Sequence, residues 1–287
     1  MYDNDADILA VYEEFQRSIN LADRTIITRA SILRGFTRRQ EVELLTATIF
    51  DMRRELGRQG IAPSTMATTR STFQAFYGFL EGEGLRADNP ALRLRVVKIP
   101  RARPRPYTQD QIDRMLSTGA YKRTRAMILL AAYQGLRASE IAAVHSDDVD
   151  LTAGTLKVLG KGGRTDYLPL HDVIRELAPT MFTGWWFPAR RGREGHIKGR
   201  SVSDQLTDAK ARAGILDRNL TGHSLRHSFG TELVRRGANI RAVQELMRHS
   251  SLQTTQLYTE VLDEDQRAAL AVLPTRQISN RSGRRAA

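Results

Sequence analysis

GTLKVLGKGGRTDYLPL, residues 154–170, breaks a pattern that elsewhere reads as helix. Two short runs rich in β-branched and apolar residues flank the turn Gly160-Lys161-Gly162-Gly163. A strand pair joined by a glycine-rich turn is the expected reading of such a stretch. Glycine leaves the tip free to adopt conformations closed to other residues, so Lys161 sits where a side chain can approach a ligand. Lysine and glycine are also ordinary turn residues, and the turn alone does not separate the two readings.

Upstream of the hairpin the pattern is helical. Thr108 to Gln111 has the form of a capping box, with a helix through Leu116 behind it. YKRTRAMILLAAYQGL, residues 121–136, is a second and strongly apolar helix. Before these lies RLRVVKIPRARPRP, residues 93–106, with six basic residues, three prolines and no acid. Proline resists helix, so this is an extended linker. Arg93, Arg95, Lys98, Arg101, Arg103 and Arg105 can follow phosphates or simply solvate a connector.

Residues 1–92 read as an all-α unit. Ile8, Leu9, Tyr12 and Phe15 share one face, and VELLTATIFDMRREL, residues 42–56, continues the helical spacing. Phe73, Phe76, Tyr77 and Leu80 form a stripe more typical of a core than of a stacking platform. Pro63-Ser64 starts that helix, and Gly82 and Gly84 end it. Downstream of the hairpin, helices return from Ser201; one stops at Gly237, and Asn239 caps the next. The expected fold is mainly α with a small antiparallel β-sheet. An all-α unit (1–92) leads through the linker (93–106) to an α+β unit (107–274) and a disordered basic tail (275–287).

The 287 residues carry 44 Lys and Arg against 32 Asp and Glu, a net charge of +12 that points to a polyanionic partner such as nucleic acid. No cysteine is present, which excludes disulfides and thiolate metal sites and fits a cytoplasmic protein. The acidic start lacks the pattern of a secretory signal, and no apolar run is long enough to span a membrane.

Candidate chemistry is concentrated in the second unit. HSLRH, residues 223–227, places His223 and Arg226 on one helical face, with His227 read as displaced from it. Arg137 and Glu140 are three apart at a helix start, the spacing of an ion pair. His249 and Tyr258 follow near the end. No third ligand stands at metal spacing from His223 and His227. Two arginines, histidines, a lysine and a tyrosine can together transfer a phosphoryl group without metal. Guanidinium groups neutralise the transition state, histidine and lysine move protons, and tyrosine serves as the nucleophile.

In order, Gly135-Leu136-Arg137-Ala138-Ser139-Glu140, Gly160-Lys161-Gly162, His223-Ser224-Leu225-Arg226-His227, Leu246-Met247-Arg248-His249 and Tyr258 closely resemble the motifs of the tyrosine recombinase (phage integrase) family. The resemblance covers nearly the whole chain. It implies a helical core-binding domain of the SAM-like kind over 1–92 and a catalytic domain over 107–274, which close on DNA as a C-shaped clamp. It also implies a site-specific DNA recombinase that passes through a 3′-phosphotyrosine and a Holliday junction with neither ATP nor any other cofactor. On this resemblance Arg137 and Arg226 clamp the scissile phosphate and Tyr258 attacks it. Lys161 protonates the leaving 5′-oxygen, His223 assists proton transfer and His249 binds the phosphate. Glu140 and His227 support the pocket.

The implied partners are double-stranded DNA sites, three further copies forming a homotetramer on two duplexes, and a directionality factor. The implied location is the cytoplasm and nucleoid of a bacterial host. Because the core-binding pattern begins almost at Met1, the expected layout is Xer-like or that of a compact phage integrase without an arm-binding domain. Ala268–Pro274 is apolar enough to dock on a neighbouring subunit. One departure stands out: the family usually has glycine just before its second histidine, and this chain has Arg248. Arg248 either adds a phosphate contact or marks a turn that tolerates a side chain. The alternatives to a recombinase are a type IB topoisomerase and a DNA-binding architectural protein that has lost the chemistry.

Overall fold

The computed structural model describes residues 4–99, 105–118, 121–160, 163–190 and 194–248. The chain forms two compact units, 1–102 and 103–287.

Among the described residues the first unit has four helices: α1 (Asp5–Ser18), α2 (Asp23–Gln40), α3 (Ile49–Leu56) and α4 (Pro63–Gly82), with a 3-10 turn at Pro90–Arg93. Ile8, Leu9 and Tyr12 of α1 meet Leu33 and Phe36 of α2 and the whole α4 stripe in one buried core. Tyr12 stands edge-on to Phe76 at 5.1 Å between ring centroids, and Phe36 packs on Phe73 at 4.7 Å. The stripe is therefore core, as its spacing implied.

Residues 42–48 depart from the helical expectation. They form a turn with Leu44 and Ala47 buried, and α3 starts only at Ile49. The Asp51 carboxylate accepts from the Thr48 N–H at 2.8 Å and from its hydroxyl at 2.7 Å, which fixes the helix start. Backbone partners in the turn come from elsewhere in the fold: Leu44 N–H donates to Asp5, and the Tyr77 hydroxyl donates to the Leu44 carbonyl. Apolar spacing cannot register such partners. The first unit also reaches past residue 92, because Leu94 is buried in its core and its carbonyl accepts from Arg70.

The second unit holds α5 (Gln109–Ser117), α6 (Lys122–Ala132), α7 (Ala138–Ala142), the strands β1 (Val149–Asp150), β2 (Thr155–Leu159) and β3 (Thr165–Pro169), and then α8 (Asp172–Leu177), α9 (Gly199–Arg212), α10 (Gly222–Arg235) and α11 (Ile240–Leu246). The sheet is antiparallel in the order β1-β2-β3, with Leu156 opposite Leu168. Leu156, Val158 and Leu168 face the core, as the alternation predicts. The two-residue β1 and the short α8 are additions to the sequence reading; both are too brief to leave a periodic signature. Thr108 and Gln111 form the predicted capping box, and Asn239 accepts from the Arg241 N–H.

The fold is thus mainly α with a small antiparallel sheet. Strongly apolar α6 lies at the centre of the core with Leu136, Trp186, Phe187, Val202, Leu206 and Leu225, and α10 packs on α6 and α9. No helix among the described residues is long and apolar enough to cross a membrane.

Candidate active site

Two chain reversals set the site. Gly135, at φ +64°, turns the chain out of α6 and delivers Arg137 to the N-cap of α7. A side chain at Gly135 would meet strain from that φ and would also strike the Phe229 ring of α10, 2.5 Å from the ideal Cβ position. Close approach of α10 to this turn therefore requires glycine. The second reversal follows α11, where Arg248 itself takes a left-handed conformation at φ +49°.

Glu140 stands between the two reversals. It is the third residue of α7, and its side chain is only 4% exposed. One carboxylate oxygen accepts from the Arg137 N–H at 2.7 Å, and the other accepts from Arg137 Nη1 at 2.7 Å. Arg248 Nη2 donates to the first oxygen at 2.5 Å, and Arg226 Nη1 lies 3.9 Å from it. Burial alone would push the Glu140 carboxyl up; the Arg248 charge and the Arg137 hydrogen bonds outweigh it and hold the group below the usual carboxylate range. The sequence allowed a surface ion pair here, but the pair is instead the base of a three-arginine cluster.

Backbone carbonyls complete the frame. Arg226 of α10 is almost fully buried and donates to the carbonyls of Gly135 and Met247. Arg137 Nη2 donates to the Arg248 carbonyl at 3.1 Å. Both arginines are thus tied to the turn at 247–248, which leads directly to position 249. Arg137 keeps a partly exposed side chain, at 38%.

His223 and His227 lie one helical turn apart, ring against ring, with centroids 4.5 Å apart and planes at 78°. This corrects the expectation that His227 is displaced from the His223 face: four residues advance a helix by about 40° beyond one full turn. For His227, burial first and then the neighbouring charges of His223 and Arg226 push the imidazole down to about 4. His223 keeps an exposed face, but the atoms packed around its ring, followed by the Arg226 and Arg137 charges, also favour its neutral form. A neutral imidazole can accept a proton. Ser228 anchors the helix from behind, accepting from the Tyr107 N–H at 2.7 Å.

The remaining candidates divide clearly. Arg248 does not face outward as a DNA contact: its side chain is 7% exposed and bonded to Glu140. Arg93, Arg95, Lys98 and Arg105 are exposed. Arg95 and Lys98 line a groove of the first unit with Arg53, a residue the sequence reading did not single out. Lys161, Arg101, Arg103, His249, Tyr258, the 268–274 segment and the tail 275–287 lie outside the described residues. The carbonyls of 135, 247 and 248 carry no side-chain signal, so no sequence reading could have found them.

Residues 106–265 match the phage integrase family. The chain belongs to that family, the tyrosine-type site-specific DNA recombinases. It is 35% identical over 253 residues to tyrosine recombinase XerD of Caulobacter vibrioides, covering 80% of this chain and 83% of that one. It is 38% identical over 206 residues to tyrosine recombinase XerA of Thermococcus kodakarensis, covering 68% and 71%. The Tn1549 transposon integrase, solved in complex with transposon right end DNA, shares the fold, with a TM-score of 0.73 at 16% identity over 92% of this chain and 98% of that one.

Proposed function

We propose that this recombinase binds double-stranded DNA sites and exchanges strands through a covalent tyrosine intermediate. The observation that carries this reading is the convergence of Arg137 and Arg226, from α7 and α10, on one buried carboxylate beside His223. Paired planar guanidinium groups are suited to the two non-bridging oxygens of a phosphodiester and to the charge that grows as it is attacked.

In this reading the Tyr258 phenol loses its proton to His223, and its oxygen bonds to phosphorus. The bond from phosphorus to the 5′-oxygen breaks, and Lys161 protonates that oxygen. The products are a 3′-phosphotyrosine and a free 5′-hydroxyl. His249 holds a phosphate oxygen. Attack by a 5′-hydroxyl from a second duplex reverses the step, and two rounds pass through a Holliday junction. Four copies act on two duplexes, and a directionality factor can select the outcome. The core-binding part, with Arg93, Arg95, Lys98, Arg101, Arg103 and Arg105, follows the phosphate backbone. The work is placed in the cytoplasm and nucleoid of a bacterial host.

The test uses a nicked duplex bearing the site that the wild-type protein selects from a random-sequence library. Wild-type protein should give a covalent protein–DNA adduct on a denaturing gel, and Tyr258→Phe should give none. No adduct from wild-type protein would refute the reading. Plasmid relaxation without exchange between two sites would point to a topoisomerase instead.

A further inference from the structure

The Glu140 cluster holds more positive charge than clamping a phosphate with two arginines requires. Arg137, Arg226 and Arg248 against Glu140 leave 3 − 1 = +2, whereas the glycine usual at this position would leave 2 − 1 = +1. Arg248 occupies a backbone region that disfavours side chains, at φ +49°. Its guanidinium is nonetheless buried, with Nη2 on Glu140 at 2.5 Å, Nη1 on the Leu246 carbonyl at 3.3 Å, and Nε without a partner among the described residues. A residue held there against strain and desolvation must gain from the carboxylate it reaches.

We propose that Arg248 is a positioning residue that takes up the charge of Glu140, so that Arg137 and Arg226 present two uncompensated positive charges to the scissile phosphate. Without it, the nearest cations to the buried carboxylate among the described residues are Arg137 at 2.7 Å and Arg226 at 3.9 Å. Glu140 would then cancel part of the field those two carry, and in a poorly solvated pocket that loss is large. Arg248 has a second effect through its backbone. Its carbonyl accepts from Arg137, which ties the clamp to the turn that leads into His249. This inference rests on the reading of Arg137 and Arg226 as the phosphate clamp.

The experiment compares Arg248→Gly and Arg248→Lys with wild-type protein on the selected nicked duplex. It measures the duplex dissociation constant and the single-turnover rate of adduct formation, with Tyr258→Phe as the blank. Glycine is unstrained at this φ, so Arg248→Gly should fold; a thermal melt checks this. Adduct formation should slow about 10- to 100-fold in Arg248→Gly, while DNA affinity changes less than about threefold. Arg248→Lys restores the charge without the planar fork and should recover about a tenth or more of the wild-type rate. A wild-type or faster rate in Arg248→Gly overturns the proposal, the faster rate marking Arg248 as a brake. A parallel loss of rate and affinity overturns it in favour of a direct phosphate contact. No adduct from the wild-type protein defeats the clamp reading itself, a failure distinct from the other two.

Discussion

Among the described residues each unit buries one glutamate beside arginines, and the two arrangements differ in where the arginines can go. In the first unit, Glu55 of α3 is 1% exposed, accepts from Arg39 at 2.5 Å and Gln40 at 3.1 Å, and forms an ion pair with Arg58 at 3.1 Å. Arg39 and Arg58 remain 35% and 39% exposed. Gly35 makes room for the Arg39 guanidinium, because a side chain there would fall 2.7 Å from its nitrogen. The Glu55 cluster fastens α2 to α3 with partners close in sequence. In the second unit, Glu140 takes Arg226 at 1% exposure and Arg248 at 7%, the latter 108 residues away. The same chemical theme serves as a clasp at one place and as a charge reservoir at the other. Hydration of the arginines marks the difference, since a clasp lets its cations keep their water.

The comparison can be broken by deleting each glutamate. Glu140→Ala removes the counter-charge from two buried guanidinium groups and the acceptor from the Arg137 N–H, and should cost about 3–5 kcal/mol of stability in urea unfolding. It should also lower adduct formation, because Arg137 loses its orientation. Glu55→Ala should cost less, about 1–3 kcal/mol, because Arg39 and Arg58 can turn back to water. Adduct formation by the folded fraction of Glu55→Ala should stay near wild type. Equal costs for the two variants would defeat the distinction.

The smallest effect concerns pH. Unfolded, the His227 ring takes up a proton as pH falls below its usual 6.5; folded, it resists until about 4. The unfolded state therefore binds more protons within that window, and stability falls as pH drops through it. The loss should be on the order of 1–2 kcal/mol, because His227 is only partly buried. Urea midpoints at neutral pH and about pH 5 should diverge more for wild-type protein than for His227→Phe, in which the lowered His223 still contributes with the same sign. Glu140, whose carboxyl is held below its usual range, contributes with the same sign at lower pH.

Much of the site was legible because reactive residues are scarce and ordered. Residue type singles out His223 and Arg226, whereas Arg137 and Glu140 read alone as an ion pair and enter the site only through the family resemblance; the structure brings all four together with His227. The helices were legible where apolar spacing was long, as in α4 and α6. The turn at 42–48 was not, because its partners are Asp5 and Tyr77, far away in the chain.

Arg248 separates the two sources of information. Sequence alone marked it as a departure from the family's glycine and left open whether it reached outward. Only the tertiary structure turned it inward, because the turn after α11 meets α7 and a buried carboxylate waits there. Sequence determines which charges exist and their order along the chain. Which charge meets which, and how much water is left between them, depends on contacts across more than a hundred residues, and local periodicity carries no record of those.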